Sequence, residues 1–183
     1  SGSYKEWLPS ANFKIDLADN LMFQTAVAKS MTRATLSDLL IARTINARYA
    51  ERSISQGNPD LKPMIAWNYD LSLTWHDGKG SSLSGGLFYK NLSNLSQRQT
   101  STVTIVGESF LLNRPENLGK DHINGVELGG QYMFRKLPAP FDGLGVLGNI
   151  TYVKKANTKT YNVGVFYEKG PIGLRLAYNY RNA

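Results

Sequence analysis

Residues 66–76 read AWNYDLSLTWH. Trp67, Tyr69, Leu71, Leu73 and Trp75 alternate strictly with Asn68, Asp70, Ser72, Thr74 and His76. A β-strand sends successive side chains to opposite faces, so this stretch predicts a strand with one apolar, aromatic face and one polar face. A helix would mix the two sets around its surface. The same period recurs on either side. Phe13, Ile15 and Leu17 form one such set, and Leu21, Phe23, Thr25 and Val27 the next, with Met22 breaking the rule. Further sets are Leu83, Gly85, Leu87 and Tyr89, then Val126, Leu128, Gly130, Tyr132 and Phe134. Val146, Gly148, Ile150 and Tyr152 follow, then Tyr161, Val163, Val165 and Tyr167, and last Leu174, Leu176, Tyr178 and Tyr180. Eight antiparallel strands are predicted, and an all-β fold.

The connections alternate in length. Ala18-Asp19-Asn20, Asp77-Gly78-Lys79-Gly80 and Lys169-Gly170-Pro171 are turn-like, and 135–143 is somewhat longer. The other set includes two long segments, 31–65 and 91–121, whereas KKANTKT at 154–160 is short where a long loop is expected. Short turns at one rim and long loops at the other are the plan of a transmembrane up-and-down barrel. Aromatic spacing agrees. Trp67 and Trp75 are eight residues apart, roughly 26 Å of strand, which a tilt near ~40° projects close to the apolar band between two aromatic girdles. Trp67, Tyr161, Tyr178 and Tyr180, with Tyr89 and Tyr152, are placed at the outer membrane interface. Trp75 and Tyr167, with Phe23, Tyr132 and Phe134, are placed at the inner one. Core faces of a soluble sandwich favour Val, Ile and Leu through mid-strand, whereas Tyr and Trp here gather at strand ends.

Composition removes other classes. Cysteine is absent, so disulfides and thiolate metal sites are excluded, and His76 and His122 are the only histidines. No stretch reaches the ~18 consecutive apolar residues of a membrane-spanning helix. The opening SGSYKEWLPS has no signal-peptide pattern. Net charge is +7, but aromatics and cations segregate to different faces or loops, whereas a single-strand nucleic-acid binder interleaves them on one face. No nucleic-acid partner is expected, nor any cofactor, metal or enzymatic activity. A small independent barrel, as a membrane anchor or a soluble ligand carrier, stays open as the alternative, although Gly86, Gly129 and Gly164 leave its narrow interior poorly filled.

From Gly57 the chain reads GNPDLKPMIAWNYDLSLTWHDGKGSSLSGGLFYKNLSN, and later NGVELGGQYMF, FDGLGVLGNITYV and TYNVGVFYEKGPIGLRLAYNYR. These stretches resemble the C-terminal barrel strands of TonB-dependent outer-membrane receptors, nearest to the proteobacterial group that includes oligosaccharide transporters. The specific elements are Gly57-Asn58-Pro59 and Leu61-Lys62-Pro63 before Asn68-Tyr69, then Gly125-Val126-Glu127-Leu128, and Tyr178-Asn179-Tyr180-Arg181. Met64 stands where the family usually carries an acidic residue. The resemblance implies that 1–183 is part of a 22-stranded barrel, whose plug domain and remaining strands lie outside this sequence. It also implies energy-coupled uptake of a nutrient, oligosaccharide or ferric siderophore, in the bacterial outer membrane. The implied partners are lipid and lipopolysaccharide, the rest of the receptor with its plug, and TonB through the parent protein.

Site residues follow from this plan. Asn68, Asp70, Glu127, Gln131, Asn149 and Arg175 are expected to face the lumen or plug. Ligand contacts are expected in the outer loops, from Arg43, Arg48 and Arg52 and from Asn113 and Arg114, with Glu116, Asn117 and Lys120 nearby. An arginine-rich loop suits an anionic ligand or a lipopolysaccharide phosphate; more often it is simply a solvated loop surface. A short amphipathic helix is expected over 36–50, and 97–106 is expected to extend a hairpin.

Overall fold

Every alternating set in the sequence becomes a strand. The computed structural model describes residues 5–46 and 52–182. In chain order the elements are β1 (Ser10–Ala18), β2 (Leu21–Thr32), helix α1 (Leu36–Leu39), β3 (Arg43–Asn46), β4 (Ser53–Gln56) and β5 (Met64–His76). They continue with β6 (Ser82–Ser93), β7 (Ser96–Ile105), β8 (Glu108–Asn117), β9 (Lys120–Met133), β10 (Leu144–Val153), β11 (Thr158–Lys169) and β12 (Ile172–Arg181). The eight predicted strands form one sheet in the order β1-β2-β5-β6-β9-β10-β11-β12, and β3-β4-β8-β7 form a second. The order of the first sheet is the sequence order once the two long loops are set aside, as an up-and-down meander requires. Among the described residues it is open: β1 and β12 are its two edges.

Two compact units divide the chain. One comprises Ser1–Pro9, Lys29–Trp67 and Asn91–His122, and the other Ser10–Ala28, Asn68–Lys90 and Ile123–Ala183. In the second unit the sheet is tightly registered. β9 pairs antiparallel with β10 from Gly125↔Val153 to Met133↔Gly145, and β10 with β11 from Val153↔Thr158 to Leu144↔Tyr167. The two-residue hairpin Gly170-Pro171 then returns β12 along β11. Residues 154–157 complete a tight turn in which the Asn157 N–H donates to the Lys154 carbonyl (3.2 Å), and the Lys154 N–H donates to the Asn124 carbonyl (2.9 Å). The short KKANTKT connection is therefore a formed hairpin turn.

Among the described residues nothing covers the apolar face of this sheet. On interior strands, where neighbours lie on both sides, Leu83 is 62% exposed, Leu128 54% and Val163 55%. A soluble sandwich would bury these side chains against a second sheet. Phe166 is the buried large apolar side chain of this unit, and it lies on the polar-parity face.

In the first unit the loops carry structure of their own. β7 and β8 form a long antiparallel hairpin closed by Val106-Gly107, which matches the expectation for 97–106. The helix expected over 36–50 is corrected. It lasts one turn, Leu36–Leu39, and the chain enters β3 four residues later; 47–51 lie outside the described residues. Thr35 caps this turn, its hydroxyl accepting from the Asp38 N–H (3.4 Å), but the following Ile41, Thr44 and Ile45 are β-branched and favour extended backbone. The second sheet also holds one parallel pair, outside the eight predicted strands. β4 runs parallel to β8, with Ile54 opposite Leu112. Sequence alternation sets faces and does not choose a partner, so this pairing between two loops had no local signal.

Candidate functional site

The polar face of the second unit builds up from register. Gly129, Asn149, Asn162 and Asn179 form one row across β9 to β12, and Glu127, Thr151, Thr160 and Arg181 the row beside it. On the other side lie Gln131, Leu147, Gly164 and Ala177, then Met133, Gly145, Phe166 and Arg175. Of the residues expected on this face, Glu127 and Gln131 on β9, Asn149 on β10 and Arg175 on β12 thus share it. Asn68 and Asp70 sit on the same parity of β5. The Gln131 amide donates to the Gly80 carbonyl at 2.8 Å, and the Asn68 amide to the Ala28 carbonyl at 3.2 Å. The Asp70 backbone carbonyl accepts from the Thr25 hydroxyl at 3.0 Å.

Two aromatic side chains on this face escaped the sequence reading. Phe166 lies over Gly145, where even a methyl group would overlap its ring, and Phe88 stands in the same relation to Gly125. A glycine with an aromatic laid across it from the neighbouring strand keeps the sheet covered where no side chain fits. Arg175 reaches over Phe166, its guanidinium carbon 5.8 Å from the ring centre, and lies 3.6 Å from the Glu168 carboxylate. The signal was present as Gly and Phe at matching parity, but it needed the register to become a pair.

Aromatics on the apolar face fall toward both strand ends. Tyr161 and Tyr180 are register partners and stack at 4.6 Å, and Tyr69 and Tyr89 lie 6.1 Å apart. Toward the short turns, Tyr132 packs edge-on against Phe134 at 5.3 Å, and the Tyr167 hydroxyl donates to the Pro140 carbonyl at 2.8 Å. Tyr178 is exposed on β12, Trp75 ends β5 exposed, and Trp67 is partly buried within β5.

Short turns carry the shifted carboxylates. Asp77 accepts the N–H groups of Lys79 (2.7 Å) and Ser81 (2.8 Å), and these bonds, Ser81 foremost, hold its pKa below the ordinary carboxylate value. Asp142, in the 3-10 turn Phe141–Gly143, is likewise lowered by the hydrogen bond from Lys169 (2.6 Å).

In the loop unit, arginines are held by partners. Arg43 donates to the Gln56 amide oxygen at 2.7 Å, Arg52 pairs with Glu108, Arg98 with Asp38 at 3.1 Å, and Arg114 with Glu116 at 2.9 Å. Asn113 lies on β8 between Ser55 and Thr100, its side-chain oxygen buried without a partner. Arg48 lies outside the described residues. Asparagines fasten the two long loops together. The Asn58 amide donates to the Pro115 carbonyl at 3.0 Å. Asn117 accepts from the Lys62 N–H at 2.8 Å and donates to the Lys62 and Asn94 carbonyls at 3.1 and 2.8 Å. The Gly57-Asn58-Pro59 and Leu61-Lys62-Pro63 run is thus one side of a clasp whose other side is β8. Among the described residues no cluster of His, Asp or Glu has the arrangement of a metal site.

Comparison with known proteins adds three observations. The family model described as TonB dependent receptor-like, beta-barrel, matches residues 1–182. No curated protein matches the sequence. Among solved structures, a ferric enterobactin receptor mutant from Pseudomonas aeruginosa, in complex with enterobactin, superposes with TM-score 0.74 at 18% identity, over 95% of this chain and 28% of its own. The siderophore receptor PirA from Pseudomonas aeruginosa gives TM-score 0.75 at 16% identity, over 97% of this chain and 34% of its own. The copper transporter OprC gives TM-score 0.61 at 15% identity, over 93% and 26%. At these identities the likeness establishes the fold. The chain spans between 26% and 34% of the length of these three structures.

Proposed function

Because the chain belongs to the TonB-dependent receptor β-barrel family, we propose that it is a wall segment, with two outer loops, of a bacterial outer-membrane transporter for energy-coupled nutrient uptake. The observation that carries this reading is the uncovered apolar face opposite a continuous polar face. In lipid every backbone group must be paired and every outward side chain apolar, and an alternating sheet within a larger barrel meets both demands. The residues 1–183 would then supply about eight strands, the remaining strands and the plug coming from the rest of the receptor.

In this reading Asn68, Asp70, Glu127, Gln131, Asn149 and Arg175 line the lumen and meet the plug, through which TonB would act. Trp67, Trp75, Tyr161, Tyr167, Tyr178 and Tyr180 anchor the wall at the two membrane interfaces, where an amphipathic ring has one apolar and one wet side. The segment catalyses nothing; its loops supply recognition. Arg43, Arg48, Arg52, Asn113 and Arg114 are the proposed ligand contacts, and the clasp through Asn58, Asn94 and Asn117 would present those among the described residues, Arg43, Arg52, Asn113 and Arg114, on one preformed surface. The nutrient is an oligosaccharide or a ferric siderophore. The sequence resemblance favours the first, and the named functions of the structural neighbours support the second.

The test is extraction of the parent protein from outer-membrane fractions in mild detergent, followed by electrophoresis with and without boiling. A species several times larger than 20.3 kDa that shifts on heating is expected, and uptake of radiolabelled saccharides and ferric siderophores then identifies the nutrient. A detergent-free 20.3 kDa monomer would sink the proposal.

A further inference from the structure

Lys159 stands on the apolar side of β11, sharing its parity with Tyr161, Val163 and Val165. Its register partner is Tyr152, and its ammonium lies 6.0 Å from the centre of that ring. A cation on the lipid-facing side of a strand is costly at mid-membrane and tolerated near the interface. Here it sits at the strand end, where the 154–157 turn adds Lys154 and Lys155. From 143 to 167 the sequence holds these three lysines and no acidic residue.

The second observation is a groove of about 470 Å³ lined by Val27, Tyr69, Leu87, Tyr89, Val126 and Tyr152, and also by Lys154. These six side chains share the apolar face. Asp70 is the acidic member of the lining, and its side chain has the opposite parity. An apolar trough and a set of cations therefore meet beside Tyr152, whose hydroxyl lies 3.5 Å from the Asn157 side-chain oxygen in the turn.

We propose that this corner binds one phosphorylated lipid of the outer leaflet, an acyl chain lying in the groove and its phosphate held by Lys154 and Lys159. The occupant follows from the chemistry. A soluble anion would use the lysines and leave the groove empty. A neutral lipid would fill the groove and leave Lys154 and Lys159 without a counter-charge. The site rests on the membrane-barrel reading and gives its lipid partner a location.

The test uses the intact receptor carrying this segment, purified in mild detergent with its heat shift verified, and native mass spectrometry after incubation with diphosphorylated lipid A. Phosphatidylcholine and inorganic phosphate are the comparison probes. The wild type is expected to retain lipid A over phosphatidylcholine. K154Q and K159Q should each weaken retention about fivefold. V27W, which fills the groove and leaves the charges, should also lose lipid A. Equal retention by the wild type and the K154Q/K159Q double variant overturns the site, as does equal retention of phosphatidylcholine. Displacement of lipid A by inorganic phosphate, with V27W unaffected, marks a free-anion site and overturns the lipid. A heat-shifting receptor that retains no lipid overturns this site alone; a protein with no heat shift overturns the barrel reading together with it.

Discussion

Gly57 sits where the backbone of α1 comes closest to the loop. Its N–H donates to the Leu40 carbonyl at 3.0 Å, and a Cβ there would overlap that oxygen and lie 2.7 Å from the Asp38 oxygen. Backbone atoms cannot swing aside as a flexible side chain can. Gly57→Ala is therefore expected to break the Gly57–Leu40 contact, and Asn117→Ala to remove three hydrogen bonds from the clasp, each worth about 0.5–1.5 kcal/mol. Amide exchange in 53–63 and 108–117 should speed up in both variants, with the heat shift of the barrel unchanged. Unaltered exchange in Asn117→Ala would remove the clasp from the account. The opposite sign is expected at Val106. It has φ 50 and is 97% exposed at a two-residue hairpin whose second residue, Gly107, has φ 80. A β-branched residue is strained in that left-handed region, and Asn-Gly is the favoured pair there. Val106→Asn should stabilise the hairpin by about 1 kcal/mol, read as slower exchange across 96–117.

The same scale carries the pH dependence. Asp77 has its pKa lowered in the folded chain by the N–H groups it accepts, so its contribution is present above the unfolded carboxylate value, about 3.9. It is lost as pH falls through the lower folded value. Asp142 has the same sign through Lys169. The melting temperature should be flat from pH 8 to 5 in this respect and fall below about pH 4, and Asp77→Asn should reduce that fall. An unchanged acid limb in Asp77→Asn would remove this turn from the explanation.

Within a strand, adjacent residues meet different solvents. Leu71 and Ser72 are neighbours on β5, and alternation sends Leu71 to the apolar face and Ser72 to the polar one. In a membrane wall, arginine on the outward face near mid-bilayer costs about 2–4 kcal/mol, whereas a lumen position tolerates charge. Folding titrations into lipid vesicles should show a loss of that order for Leu71→Arg and a much smaller one for Ser72→Arg. Equal losses would mean that the two faces are not divided between lipid and lumen. Strand positions were legible in the sequence for this reason: the division between faces is written residue by residue. The helix stops after Leu39 although the Leu36, Leu39, Leu40 and Ile45 spacing fits a helix loosely, because one capped turn cannot propagate against β-branched neighbours without packing to support it. The Phe166–Gly145 and Phe88–Gly125 pairs were invisible for a different cause, since each joins residues on separate strands.

For the whole molecule, β1 and β12 leave the sheet with two open edges among the described residues. Long edges with unpaired backbone groups seek further strands. The 183-residue chain made on its own is therefore expected to self-associate in detergent, whereas the same segment in the parent receptor gives a single heat-shifting species; light scattering distinguishes the two. The sequence alone determined the eight strands of the larger sheet, the parity of each face, the alternation of short and long connections and, through its motifs, the family. All are local properties, set by side-chain solvation along one strand or by residue types at a turn. Only the tertiary structure decided that β4 runs parallel to β8, that asparagines clasp the long loops, that glycines receive phenylalanine rings, and that lysines of the 154–160 segment meet an apolar groove. Each of those depends on which distant segments become neighbours, a choice made by shape and backbone pairing across the sheet that no single stretch of chain records.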